Sequence, residues 1–116
     1  MAFNFSMKKS YRIRKNEEFT QIIGEKHSSA SANFVLYYSD RKLEENARAG
    51  ISVSKKLGDA VDRNRIKRQV REMIKAVFDF NDAKKDIIVI VRPPYLKNDY
   101  QTNLLDLEKL IKKAII

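Results

Sequence analysis

The sequence predicts a single α/β domain, on three observations. Residues 49–54 alternate apolar and polar, residues 60–78 carry helical periodicity, and residues 86–92 are a near-continuous apolar run, which is the order of a βαβ unit. Two further segments with helical spacing of apolar residues flank that unit. The length of 116 residues is that of one domain of the usual roughly 100–150 residues. A hydrophobic fraction of 43% supplies one modest core and excludes a disordered tail.

The elements follow in order. Residues 1–7 have no basic stretch before a long apolar one; they read as a flexible N-terminal extension rather than a signal peptide, leaving residues 8–116 as the domain. Asn16 can cap a helix whose first turn holds Glu17 and Glu18, whose apolar face holds Phe19, Ile22 and Ile23, and which Gly24 can stop. Residues 28–33, polar Ser and Ala, read as loop. Phe34-Val35-Leu36-Tyr37-Tyr38, β-branched and aromatic, reads as strand, and residues 41–46 as a charged connection. Residues 49–54 form a strand with one buried face, and Lys55 to Asp59 a turn in which Asp59 can cap the next helix. In that helix Ile66, Val70, Met73, Ile74 and Val77 form the apolar stripe. Asn64, Lys67, Arg68, Arg71 and Lys75 occupy the opposite arc, with Arg63 and Arg65 on the flanks. The run 86–92 is a strand buried on both faces, ended by Pro93-Pro94, and Leu104, Leu107, Leu110 and Ile111 mark a last helix over 101–114. The predicted order is α-β-β-α-β-α, with the two strands of the βαβ unit parallel. The common crossover is right-handed; spacing supplies the unit and not its hand.

Composition removes several function classes. Without cysteine there is no disulfide scaffold and no Cys-ligated zinc or iron–sulfur site, which suits a reducing cytoplasm. A single histidine, His27, leaves no histidine cluster for metal or for acid–base work. The longest apolar run, Ile87 to Val91, is far short of the ~20 residues of a membrane helix. The expected location is cytoplasmic. The net charge of +9 points to a polyanionic partner.

That charge is concentrated. Residues 1–16 carry +5, residues 17–54 carry −2, residues 55–75 carry +5 and residues 76–116 carry +1. Within 55–75, Arg guanidinium groups can bind phosphate oxygens in pairs, Asn64 can add a donor or acceptor, and Lys55 and Lys56 precede a helix start whose N–H groups also favour anions. An ordinary solvated helix face would intersperse acids for ion pairing, and beyond the cap only Asp62 and Glu72 are available. The pairs Asp59/Asp62 and Asp79/Asp82 suit helix ends and turns better than a metal site.

The ordered motifs resemble a known family. Lys55-Lys56-Leu57-Gly58-Asp59-Ala60-Val61, then Arg63-Asn64-Arg65-Ile66-Lys67-Arg68 and Arg71, following Ile51-Ser52-Val53-Ser54, are similar to the signature of the bacterial ribonuclease P protein subunit. Tyr11 to Phe19, Phe34 to Tyr37 and Asp86 to Pro93 resemble its other segments, so the resemblance covers about residues 8–113. It implies the small protein partner of a catalytic RNA; together the two remove the 5′ leader of precursor tRNA, with the RNA and its Mg²⁺ ions doing the chemistry and no catalytic residue on the protein. It implies contact with the catalytic RNA through Lys55, Lys56, Arg63, Asn64, Arg65, Lys67, Arg68 and Arg71. It implies a leader cleft between the first helix and the sheet, with Phe19 and Tyr37 offering rings and Arg12 and Lys15 charge; on the next turn, where the family pattern can hold an aromatic, this chain departs with Ile23 and has one stacking surface fewer. The implied fold is a two-layer α/β sandwich with a mixed sheet and a left-handed βαβ crossover, like domain 2 of ribosomal protein S5. The expected partners are the two RNAs, with no membrane and no small-molecule substrate. The competing reading is a non-enzymatic ribosomal or RNA-chaperone-type protein using the same basic helix. A self-contained nuclease lacks a credible acid–base or metal constellation.

Overall fold

The aliphatic run Ile87 to Val91 lies inside the sheet of the computed structural model, which describes residues 11–40, 46–81, 83 and 85–115. Along the chain come α1 (Asn16–Gly24), β1 (Ser28–Ala30), β2 (Phe34–Asp40), β3 (Ala49–Val53), α2 (Ala60–Val77), β4 (Lys85–Val91) and α3 (Tyr100–Ile115). Short 3-10 helices occupy Lys55–Leu57 and Pro93–Lys97. The sheet order is β1-β2-β4-β3. Strand β4 pairs antiparallel with β2 and parallel with β3, so the sheet is mixed and the predicted βαβ unit is present. With a neighbour on each edge and at least partial cover on each face, β4 is buried from Asp86 to Val89 and again at Val91, which accounts for the apolar run that starts at Ile87.

Side-chain alternation sorts the strands into two faces. Phe34, Leu36, Ala49, Val53, Ile87, Val89 and Val91 meet Ile66, Val70, Met73 and Ile74 of α2 and Leu107, Leu110 and Ile111 of α3 in the main core. Ile88 turns the other way, to Ile13 and to Ile22 of α1, in a smaller cluster against which Phe19, Ile23, Tyr37 and Ile90 are half-buried. The sheet and the α2–α3 pair make the two layers. Helix α1 covers only part of the remaining face, where Val35, Ser52 and Ile90 stay half-buried.

The observed order, α-β-β-β-α-β-α, has one strand more than predicted. Ser28–Ala30, expected as loop, is the edge strand β1, paired antiparallel with Val35 to Tyr37. Its small polar residues carry no strand propensity; the hydrogen-bonding edge offered by β2 makes it a strand. The start of α1 is also corrected. Lys15 takes the cap position without a side-chain bond, and Asn16 is the first helical residue, its carbonyl accepting from the Thr20 hydroxyl. Glu17 and Glu18 in the first turn complement the helix dipole in place of a capping side chain. Gly24 is the last residue of α1, but the left-handed turn that follows is made by Lys26 at φ 61°. The other predicted boundaries agree within two residues. The extension at 1–7 and most of the connection at 41–46 lie outside the described residues.

Asp59 caps α2 as expected, in a reciprocal box: its carboxylate accepts from the Asp62 N–H at 2.9 Å, and Asp62 accepts from the Asp59 N–H at 3.3 Å. Gly58, at φ 135°, is required there, since a Cβ would lie 2.6 Å from Asp62. Gly50 is required for a different reason. A Cβ at this position would stand 2.6 Å from the tip of the Phe19 ring, so its absence lets α1 approach the sheet. No helix among the described residues is long and apolar enough to cross a membrane.

Helix α3 is tied to the β1–β2 turn by polar groups. The Asp106 carboxylate accepts from the Ser31 hydroxyl at 2.7 Å and from the Asn33 amide at 2.8 Å, and Asn33, only 6% exposed, accepts from Asn98 at 2.7 Å. Asp106→Ala leaves the buried Asn33 donor unmet, and urea unfolding is expected to show a loss of ~1–3 kcal/mol. Gly50→Ala forces the Phe19 ring off the sheet and is expected to cost ~1–3 kcal/mol in the same measurement, with a changed Phe19 ring environment by NMR.

Candidate nucleic-acid interface

Helix α2 buries its apolar stripe and turns its bases outward, as its periodicity predicts. Asn64, Arg65 and Arg68 are exposed, Arg63 is half-buried, and Lys55 and Lys56 are exposed on the 3-10 helix just before. The acids near these bases are occupied at the helix end. The hydrogen bond from the Asp62 backbone N–H, more than any other influence, holds the Asp59 carboxyl below its ordinary pKa against the opposing effect of burial. Arg65 meets Asp62 only at 3.6 Å, and Arg63 Nε donates to the Asp59 carbonyl at 3.4 Å.

Lys67 and Arg71 are placed differently. Residues 11–14 run along the outer edge of β3, where Arg12 bridges Ala49 in the parallel sense and the Ile13 N–H donates to the Ala49 carbonyl at 3.0 Å. This sets Arg12 and Arg14 across from Lys67 and Arg71, around a pocket of about 160 Å³ completed by Ile13, Ala49, Gly50 and Ile51. Among the described residues it is lined by four cations and no acid. Burial, with the Arg12 charge beside it, pushes Arg71 below the ordinary arginine pKa. Like charges gathered in a partly desolvated pocket favour an anion, and the guanidinium forks suit phosphate oxygens.

The residues expected at a leader and those expected at a catalytic RNA therefore meet: Arg12 from the first set shares a pocket with Lys67 and Arg71 from the second. Arg14 belongs with them, and its spacing of two from Arg12 in an extended segment is the signal that marks it. Phe19 and Tyr37 lie on the sheet face that α1 partly covers, each half-buried against Ile13, Ile22 and Ile88. Lys15 is exposed at the start of α1, its carbonyl accepting from the Phe19 N–H.

Other candidate groups have structural partners. His27 is exposed, with its ring 5.9 Å from that of Tyr38. Asp79 accepts from the Asn81 N–H in a turn, and Asp82 lies outside the described residues. Among the described residues no group of three or more His, Cys, Asp or Glu side chains is placed to hold a metal ion.

Comparison with known proteins follows the same lines. The family model described as Ribonuclease P matches residues 7–115. A ribonuclease P protein component from Bacillus cereus is 42% identical over 110 residues, 95% of this chain and 89% of that one. The structure of the Staphylococcus aureus RNase P protein superposes with a TM-score of 0.81 at 42% identity, covering 93% of this chain and all of that one. The Thermotoga maritima RNase P protein does so with a TM-score of 0.74 at 31% identity, covering 88% and 96%. With its mixed sheet, its basic α2 and these matches along almost its whole length, the chain belongs to the family of ribonuclease P protein components.

Proposed function

We propose that this protein binds the catalytic RNA of ribonuclease P through α2, holds the 5′ leader of precursor tRNA along the partly open sheet face, and so assists endonucleolytic removal of the leader in the cytoplasm. The observation that carries this reading is the shared pocket of Arg12, Arg14, Lys67 and Arg71. One rigid body thereby presents a cationic track that continues from α2 to the edge of the face bearing Phe19 and Tyr37. Arg63, Arg65 and Arg68 contact phosphates, Asn64 adds a hydrogen-bonding group, and Lys55 and Lys56 extend the charged surface. Phe19 and Tyr37 offer ring surface on which bases of any sequence can stack, with Arg12 and Lys15 neutralising the strand's backbone.

The protein's contribution is electrostatic and positional. Mg²⁺ bound by the RNA subunit would supply activation of the attacking water and stabilisation of the leaving oxygen. Described carboxylates such as Asp59 and Asp62 are committed to the capping box, so the donor set for that ion is assigned to the RNA. Cations of this chain reduce the phosphate repulsion that Mg²⁺ would otherwise have to offset. A leader gripped by the protein favours precursor over mature product, which has no leader to hold.

Cleavage of precursor tRNA by a bacterial ribonuclease P RNA at low Mg²⁺ is the direct test. Strong protein-dependent cutting at the mature 5′ end is expected; tight RNA binding without stimulation would favour a ribosomal or chaperone role instead. Arg63→Ala and Arg65→Ala are each expected to weaken assembly with the catalytic RNA by ~1.5–3 kcal/mol, read from binding at moderate salt. Phe19→Ala is expected to lower affinity for leader-bearing precursor by ~1–3 kcal/mol and to leave mature tRNA binding unchanged.

A further inference from the structure

Helix α1 has a small apolar foundation, since Ile22 is its one fully buried residue. Two consecutive side chains, Glu18 and Phe19, connect it to β3 by other means. The Phe19 ring lies over Gly50, and Glu18 Oε2 meets Arg48 Nη1 at 2.5 Å. Arg48 immediately precedes β3 and, two residues from Gly50, shares its sheet face. From there it is anchored to the neighbouring strand. Its Nη2 donates to Asp86 Oδ2 at 3.0 Å and its backbone N–H to Asp86 Oδ1 at 2.8 Å, Asp86 being 5% exposed. Burial works against the guanidinium charge, but the bonds to Glu18 and Asp86 outweigh it and raise the Arg48 pKa. Among the described residues, Arg48 Nε is buried without a hydrogen-bond partner. A partly buried charge carrying an unmet donor is a poor device for stability and a good one for fixing one geometry.

We propose that Arg48 is a positioning residue for the leader: by bridging Glu18 of α1 to Asp86 of β4 it sets the depth and rotation of α1, and through the adjoining Phe19 it sets the aromatic wall of the leader cleft. This inference rests on the proposed path of the leader along that face. It is separable from contact with the catalytic RNA, because α2 packs on the opposite face of the sheet. Glu18→Ala cuts the tie and leaves Arg48 on Asp86. Arg48→Lys keeps the charge but has a single head that cannot serve both carboxylates in this forked geometry.

In the reconstituted holoenzyme, both variants are expected to bind leader-bearing precursor tRNA about 10-fold more weakly, with mature tRNA binding and assembly with the catalytic RNA changed less than about 2-fold. Removing an acid beside an RNA strand would by charge alone tighten binding, so a loss in Glu18→Ala reports geometry. In a Phe19→Ala background, Glu18→Ala is expected to add nothing, since it acts through that ring. If Phe19→Ala weakens leader binding while Glu18→Ala and Arg48→Lys do not, the positioning role falls and the leader path stands. If Phe19→Ala is also neutral, the leader path itself falls and the inference with it. An equal loss for mature tRNA or for assembly, or losses that add in the double variant, also overturns the positioning role.

Discussion

The two-sided burial of β4 is the constraint on which the remaining structure depends. Because it pairs with β2 on one edge and β3 on the other, it must be apolar on both faces, and each face then needs a cover. The larger apolar surface, Ile87, Val89 and Val91 with their neighbours, takes α2 and α3. The smaller one, centred on Ile88, takes α1 and Ile13. Helix α2, the parallel crossover between β3 and β4, is thus fixed through its central and C-terminal turns by Ile66, Val70, Met73 and Ile74, and its basic arc faces outward.

From that arrangement follows an uneven use of charge. The acids near the start of α2 close a capping box, and those of the sheet and α3, Asp86 and Asp106, bind Arg48, Ser31 and Asn33. Carboxylates are spent on architecture at helix ends and inside the fold. Arg12 and Arg14 are left facing Lys67 and Arg71 across a single pocket, at a cost in mutual repulsion that a phosphate would relieve in the proposed complex. The segment that closes the β3 edge is therefore also part of the cationic pocket.

The second sheet face shows the opposite economy of contact. Helix α1 is short and covers it incompletely, with Gly50 and Arg48 determining how close it comes and at what angle. A face left partly open, with half-buried aromatic rings and an adjoining cationic edge, suits the proposed path of a flexible polyanion better than a closed core would. Fold and interface are coupled here by the same few residues.

Local pattern by itself determined the helices, the three longer strands, the Asp59 cap and the outward direction of the α2 bases, because each depends on periodicity or on neighbours within one turn. The ordered motifs at 51–71, with those at 11–19, 34–37 and 86–93, likewise indicated the family. What only the tertiary structure decided were contacts between segments distant in the chain. Ser28–Ala30 became a strand because β2 offers an edge. The joining of Arg12 and Arg14 to Lys67 and Arg71 spans more than fifty residues, and the bridge from Glu18 through Arg48 to Asp86 spans three elements. Such pairings leave no periodic trace in any one segment; they exist because the sheet order places β3 beside β4, with residues 11–14 along the outer edge of β3 and α1 lying over the face the two strands share.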